Sequence, residues 1–409
     1  MEICLLFGIF PDSHYNNIIK NSIGVIQYAA DALQKSIIEG FIQNNINFNL
    51  VNLPYIGSFP NRYKQSSIES FDFDFKSNDK IVKCKNIHFN NFTGYKLYSR
   101  YSNAKKALLE QFSQVPFEEK KVIVVYAIHT PFLKACIEVK KKVPNVNIIL
   151  IVPDLPEFMG HERSFLMDKL HLYNESLLDS YYPHVDGFVL LSKFMADRLQ
   201  VEPRPWTVVE GIYNKVDDPI ETSKSKGERY VLYTGTLARR YGILNLVKAF
   251  MSLKNNQYRL LICGAGDSED EIKRLSLIDS RIIYKGQVKR DQALELQRHA
   301  TLLVNPRTPE GEFTKYSFPS KTMEYLASGV PTLLYQLPGI PSEYYKYCYS
   351  LKDLSIEALS SVIEEILLKS NDELESMGKR ARSYVLENKN PQKQVAKIVD
   401  LINKVCSLK

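Results

Sequence analysis

The chain has 409 residues, 44% hydrophobic and 24% charged, with a formal net charge of +7. A single core stops growing at about 250–300 residues, so two domains are expected. The composition is that of an ordinary globular protein: no low-complexity tract occurs, no apolar run reaches the ~18 residues of a membrane span, and arginines do not alternate with aromatics as in a nucleic-acid groove.

Six cysteines, at 4, 84, 136, 263, 348 and 406, show no paired spacing, and several lie in apolar runs. They read as reduced core residues of a cytoplasmic protein, with no zinc pattern. The opening Met1 to Phe7 lacks a basic region and is too short for a signal peptide. Residues 51–150 hold 16 Lys/Arg against 8 Asp/Glu, and residues 151–200 hold 4 against 8. The basic surplus reads as a solvated face or, more sharply, as a peripheral contact with anionic lipid headgroups at the inner face of the membrane.

Ile3 to Phe7 is an apolar run suited to a buried parallel strand. A loop to Asn21 follows, and Ser22 is placed to cap a helix carrying Val25, Ala29, Leu33, Ile37 and Phe41. Phe48 to Leu53 reads as a strand. This strand, loop, helix, strand order opens a doubly wound sheet, whose ligands bind in the loops at the carboxyl ends of the strands. Residues 54–100 read as irregular. Asp72 and Asp74 fit an Asp-x-Asp metal pattern, but no buried strand leads into them, and no metal is expected. Val122 to Tyr126 and Val146 to Val152 are strands whose ends carry His129 and Asp154, side by side on the functional edge. Asp186 to Leu191 is a further strand, with Ser192 capping a helix to about Gln200.

Asn214 to Glu228 has the composition of a linker. The division expected is 1–210, an N-terminal doubly wound domain; 211–228, a linker; 229–388, a second doubly wound domain; and 389–409, a C-terminal helix packing back on the first domain. Tyr230 to Tyr233, Tyr258 to Cys263 and Ile282 to Tyr284 are strands, opening respectively on Gly235-Thr236-…-Arg239-Arg240, on Gly264-Ala265-Gly266 and on a loop holding Val288. A helix spans roughly Arg290 to His299. Thr301 to Val304 is the next strand and runs into Arg307. A helix then begins near Ser317 to Ser320, with Ser317 as cap, and stops at Gly329 before Pro331. Its N-terminus suits an anion, and Lys321 and Glu324 share a face just inside it.

On these residues the chain resembles the retaining GT-B glycosyltransferases of group 1, or family 4. Tyr233-Thr-Gly-Thr-Leu237, Leu261-Ile-Cys-Gly-Ala-Gly-Asp267 and above all Phe318-Pro-Ser-Lys-x-x-Glu-Tyr-x-Ala-Ser-Gly-x-Pro331 carry the similarity, with Asp186 to Ser192 in the first half. The resemblance implies two Rossmann-like domains facing a cleft, with a nucleotide diphosphate sugar, UDP-linked, bound on the second (229–388) and the acceptor on the first (1–210), where Gly24 and Asp154 are assigned to the acceptor loops. It assigns Glu324 to the donor ribose, and His129, Lys321 and Arg240 to catalysis. Tyr316, Ser317, Phe318, Ser320, Gly235, Thr236, Arg239, Gly264, Val288 and Arg307 are assigned to donor binding. Tyr316 stands where the family has a further Glu. Thr236 and Tyr241 stand where it often has phosphate-binding Arg and Lys, with Arg239 and Arg240 displaced between them. The function implied is metal-independent transfer of a hexose, without cofactor, to a saccharide or lipid-linked saccharide in surface-polysaccharide synthesis. The alternatives are a non-catalytic nucleotide-sugar-binding protein and a sugar-nucleotide epimerase.

Overall fold

In the computed structural model the described residues are 1–77, 80–155, 157, 165–214 and 229–408. Two units divide the chain: Met1–Ile212 with Pro391–Lys409, and Tyr213–Asn390. The expected linker, 211–228, lies outside the described residues from 215 onward.

The first unit runs β1 Glu2–Phe7, α1 Tyr15–Asn21, α2 Tyr28–Gln43, β2 Asn49–Asn52, β3 Ser67–Ile68, β4 Phe71–Ser77, β5 Lys80–Asn86, β6 Phe89–Asn90, α3 Lys96–Ser113, β7 Lys121–Tyr126, α4 Thr130–Lys142, β8 Val146–Val152, α5 Phe165–Tyr181, β9 Gly187–Leu190, α6 Phe194–Arg198 and β10 Trp206–Val208. Its main sheet has the order β10-β9-β8-β7-β1-β2-β5-β4. All neighbours pair in parallel except β4 with β5. β7 and β8 are buried along their whole length, as parallel strands covered on both faces must be. Strand order reverses between β1 and β7, so the loops after Phe7 and Tyr126 flank the crevice such sheets offer to ligands.

Two expectations fail here. Ser22 does not start a helix: it closes α1, its N–H and hydroxyl both reaching the Ile18 carbonyl, and the chain then turns through Gly24 at φ +81°. The long helix begins only at Tyr28, leaving Val25 75% exposed. Residues 54–100 are not irregular. They hold an antiparallel β4–β5 ribbon, in which Asp72 and Asp74 lie opposite Lys85 and Lys83, and the start of α3. Phe71, Phe73 and Phe75 pack toward the core while the intervening aspartates face solvent, an alternation of period two that marks a half-buried strand.

The second unit runs β11 Tyr230–Thr234, α7 Ile243–Met251, β12 Arg259–Cys263, α8 Glu269–Ile278, β13 Ile282–Tyr284, α9 Arg290–His299, β14 Leu302–Asn305, α10 Ser320–Ala327, β15 Thr332–Tyr335, β16 Tyr349–Leu351, α11 Ile356–Leu368 and α12 Asn371–Asn388. Its sheet is parallel throughout, in the order β13-β12-β11-β14-β15-β16. This is the doubly wound order of dinucleotide-binding folds, with the reversal between β11 and β14. The last helix, α13 Pro391–Ser407, returns to the first unit, where Val395, Ile398, Leu401 and Val405 join the core that holds β1 and α2.

Candidate donor site and the first unit's sheet edge

At the reversal point of the second unit, the loop after β11 meets the loop after β14. Gly242, at φ +76°, makes the approach possible, since a Cβ there would lie 2.2 Å from the Pro306 carbonyl oxygen. Beside it, a Cβ on Gly264 (φ +143°) would lie 1.8 Å from the Gly235 carbonyl oxygen. Sequence reading treats Gly264 as a donor contact; its backbone packs against the neighbouring loop. Such positions exclude any side chain.

Three loops are thereby drawn together around two arginines. Arg307 places its guanidinium 5.2 Å from the Tyr241 ring centre and 4.6 Å from that of Phe313. It donates one hydrogen bond, 2.9 Å, to the Ser317 hydroxyl, and its Nε is buried without a partner. Burial lowers its pKa from the ordinary value, yet an arginine so placed keeps its charge. Arg240 lies over the same two rings, at 5.1 and 5.8 Å. Among the described residues neither arginine is within ion-pair distance of a carboxylate. Arg239 differs: its guanidinium bonds Glu271 at 2.8 Å and its backbone N–H bonds Asp267 at 2.8 Å, tying the loop to α8.

Glu324, on α10, is 19% exposed in its side chain. Its Oε1 accepts from Lys321 Nζ at 2.7 Å and from Gln297 Nε2 at 2.6 Å. Oε2 takes no hydrogen bond among the described residues. Gln297, fully buried on α9, also donates to the Thr234 hydroxyl at 2.9 Å. Tyr325 fastens the same strand end: its hydroxyl donates to the Thr234 carbonyl at 3.0 Å and accepts from the Thr234 N–H at 2.8 Å. So α9, α10 and the end of β11 are held as one polar constellation. Thr234 and Tyr325 stand inside the quoted motifs without an assigned role, and Gln297 lies in none. The available signal is a Gln sharing the buried face of an amphipathic helix with Ala293, four residues earlier.

Ser317 is not the cap of α10. Pro319 occupies that position and no side chain caps the helix; the Ser317 hydroxyl instead donates to the Phe313 carbonyl at 2.9 Å. Phe318 turns into the core, 5.3 Å from the Tyr344 ring, so its side chain serves packing. Tyr316 donates to Glu312 at 3.3 Å. Ser320 and Thr236 are exposed, and the Thr236 carbonyl accepts from Tyr233 at 2.8 Å. Val288 packs against the cluster around Leu232 and Tyr325.

On the first unit, His129 precedes α4 at the end of β7. Its ring packs edge-on against Phe132 and Tyr55, 4.5 and 5.5 Å between centres. Its Nδ1 is buried without a partner. Burial, reinforced by Arg100 and Lys96, holds its pKa well below the ordinary histidine value, so the ring is neutral at neutral pH. Asp154, at the end of β8, keeps a solvent-exposed face, but the protein crowding its carboxyl pushes the pKa up to about 6. Gly24 is exposed in the turn between α1 and α2, and no atom approaches where a Cβ would stand. Sequence reading misses Arg100. It is fully buried in α3, donates to the carbonyls of Pro54 and Leu53 at 2.7 and 2.8 Å, and lies within 5.2 Å of the rings of Tyr55, Phe89 and Phe132.

Comparison with known proteins follows from this geometry. Solved structures similar over the whole chain include sucrose-phosphate synthase from Thermosynechococcus elongatus, with a TM-score of 0.61 at 15% identity, covering 100% of each chain. The catalytic domain of starch synthase IV from Arabidopsis thaliana, bound to ADP and acarbose, gives 0.62 at 8%, covering 100% of this chain and 99% of that one. The trehalose-6-phosphate protein from E. coli bound with UDP-2-fluoro glucose gives 0.63 at 11%, covering 98% and 99%. No curated protein matches in sequence. The fold is therefore that of the GT-B class. Residues 214–384, nearly all of the second unit, match the family described as glycosyl transferases group 1. The second unit is thus similar to the group 1 glycosyltransferases.

Proposed function

We propose that the protein is a retaining, metal-independent glycosyltransferase that takes a hexose from a UDP-linked donor held on the second unit. The acceptor, a saccharide or lipid-linked saccharide of surface-polysaccharide synthesis, is assigned to the loops of the first unit, with Gly24 and Asp154 among them. The observation that carries the reading is the pairing, at one strand reversal, of a half-committed carboxylate with two cations that lack counter-ions among the described residues. Glu324 has one oxygen saturated by Lys321 and Gln297 and the other open, as a ribose diol requires of an acceptor. Arg240 and Arg307 supply charge that their surroundings leave unneutralised, as a diphosphate requires. Arg239 contributes by shaping the loop through Glu271.

The chemistry is departure of the nucleoside diphosphate from the anomeric carbon through an oxocarbenium-like transition state. Negative charge grows on the leaving phosphate, so fixed cations stabilise the transition state more than the ground state. Lys321 and Arg240 are assigned that role. Neutral His129 is assigned a hydrogen bond to the transferred sugar, which an imidazolium would make at the cost of repelling the developing positive charge. The reading is tested by transfer from UDP-hexoses to acceptor extracts, with the anomeric configuration of the product read by NMR. Glu324→Ala and Lys321→Ala are expected to lower kcat/KM by about 10–100-fold each, the worth of a charged hydrogen bond. Unchanged rates in both, or an inverted product, would remove the assignment.

A further inference from the structure

We propose that the first unit docks on an anionic bilayer through a patch formed by residues 20–28, 58–64 and 92–98. Backbone hydrogen bonds knit these segments into one surface. Lys64 donates to Asn21 at 2.9 Å, Ile23 to Arg62 at 3.1 Å, and Thr93 to Phe59 at 3.1 Å. On that surface Val25, Phe92, Tyr95, Leu97 and Tyr98 are between 49% and 75% exposed, and the Tyr95 and Tyr98 rings lean together at 5.6 Å. Large apolar side chains gathered in this way on an exposed surface mark an interaction site.

The charge identifies the partner. Residues 13–30, 54–68 and 87–109 contain no Asp or Glu, while Lys20, Arg62 and Lys64 are exposed there. The flanking carboxylates of Asp12 and Asp31 are both taken by Lys35. A second copy would meet this patch with like charge. A water-soluble polyanion would leave the rings uncovered. An anionic bilayer satisfies both features: headgroups pair with the cations, and tyrosine suits the boundary where an apolar ring and a polar hydroxyl are both accommodated. Of the basic surplus of residues 51–150 this surface takes Arg62 and Lys64 and adds Lys20 from outside it, while Lys96, Arg100 and Lys121 of that stretch are buried. Its loops follow β1 and β2, on the sheet edge that carries His129 and Asp154. Docking would therefore present a lipid-linked acceptor to that edge, a use that rests on the transferase reading although the docking does not.

The test is sedimentation with vesicles of phosphatidylcholine and phosphatidylglycerol, against phosphatidylcholine alone. The protein is expected to sediment with the anionic vesicles and to be released by salt. Arg62→Gln with Lys64→Gln should weaken binding about fivefold per charge, by the constant for a basic residue near an anionic surface. Tyr95→Ser with Tyr98→Ser should weaken it further. All four residues stand outside the donor site, so the variants should still be stabilised by UDP, which verifies folding. The inference is overturned if the parent stays in the supernatant, if the variants sediment as the parent does, or if the variants abolish a self-association seen by ultracentrifugation. Vesicle binding without UDP binding would uphold the docking and remove the transferase reading; UDP binding without vesicle binding would do the reverse.

Discussion

Both units place cations without carboxylates at the carboxyl edge of a parallel sheet, and they use them differently. In the second unit, Arg240 is exposed and Arg307 is partly exposed; their guanidiniums share two aromatic rings and keep donors in reserve. In the first, Arg100 is sealed in and commits its donors to the carbonyls of Leu53 and Pro54. Lys96, nearly as buried, donates to the Ile56 carbonyl. A buried cation with backbone carbonyls as its partners holds a loop in shape. On the function proposed above, a cation on a strand reversal, with rings at its back and no counter-ion among the described residues, is placed for an anion. The same residue type would then be scaffold in one unit and ligand reader in the other, with burial as the difference.

The sharpest way to break this contrast is to disturb the backbone contact that assembles the second unit's loops. Gly264→Ala is expected to cost about 3 kcal/mol, because the new Cβ would collide with the Gly235 carbonyl in a region of φ that only glycine adopts readily; thermal or urea unfolding measures it. Next, Arg307→Met is expected to lower UDP affinity by about 10–100-fold, as loss of a charged hydrogen bond does. Arg239→Ala should change it by no more than about threefold, the scale of an exposed ion pair. Equal effects at the two positions would erase the distinction between reader and brace. Gln297→Leu should destabilise the protein by about 2 kcal/mol, since Glu324 and Thr234 each lose a donor; a silent substitution would mean the constellation is not a unit.

A further effect concerns the first unit. Burial, with Arg100 and Arg62 adding to it, lowers the Lys96 pKa to about 7, below its unfolded value of about 10.4. Between those values the unfolded chain binds more protons at this group than the native one. Its contribution to stability therefore rises with pH across that window and is flat below it. Lys96→Met should remove that rise, so the melting midpoint of the parent should climb relative to that of the variant from pH 7 to pH 9. A constant offset would contradict the shift.

How much of this was legible in the sequence depends on what each residue competes with. Strands β1, β7, β8, β11, β12 and β14 are mostly apolar runs, and α9 begins and ends within its expected bounds. The β4–β5 ribbon was hidden because Asp72, Asp74, Lys76, Lys83 and Lys85 on its solvent face resemble a loop, although Phe71, Phe73 and Phe75 keep period two. Ser22 looked like a cap because capping residues are recognised by type, while the turn at Gly24 that decides the matter depends on φ. Glu324 and Lys321 were found through a motif on one helix. Gln297 and Arg100 were not, because a polar side chain inside a helix declares its burial only when its neighbours in space are known.

The central claim is that the second unit reads a nucleoside diphosphate through Glu324 and the arginines at the β11–β14 reversal. Calorimetric titration of the full chain with UDP and UDP-hexoses tests it most directly. The account predicts saturable binding that Glu324→Ala weakens by at least about tenfold, the loss of a charged hydrogen bond. Binding that Glu324→Ala leaves unchanged, or no binding of any nucleoside diphosphate by the parent, would contradict it.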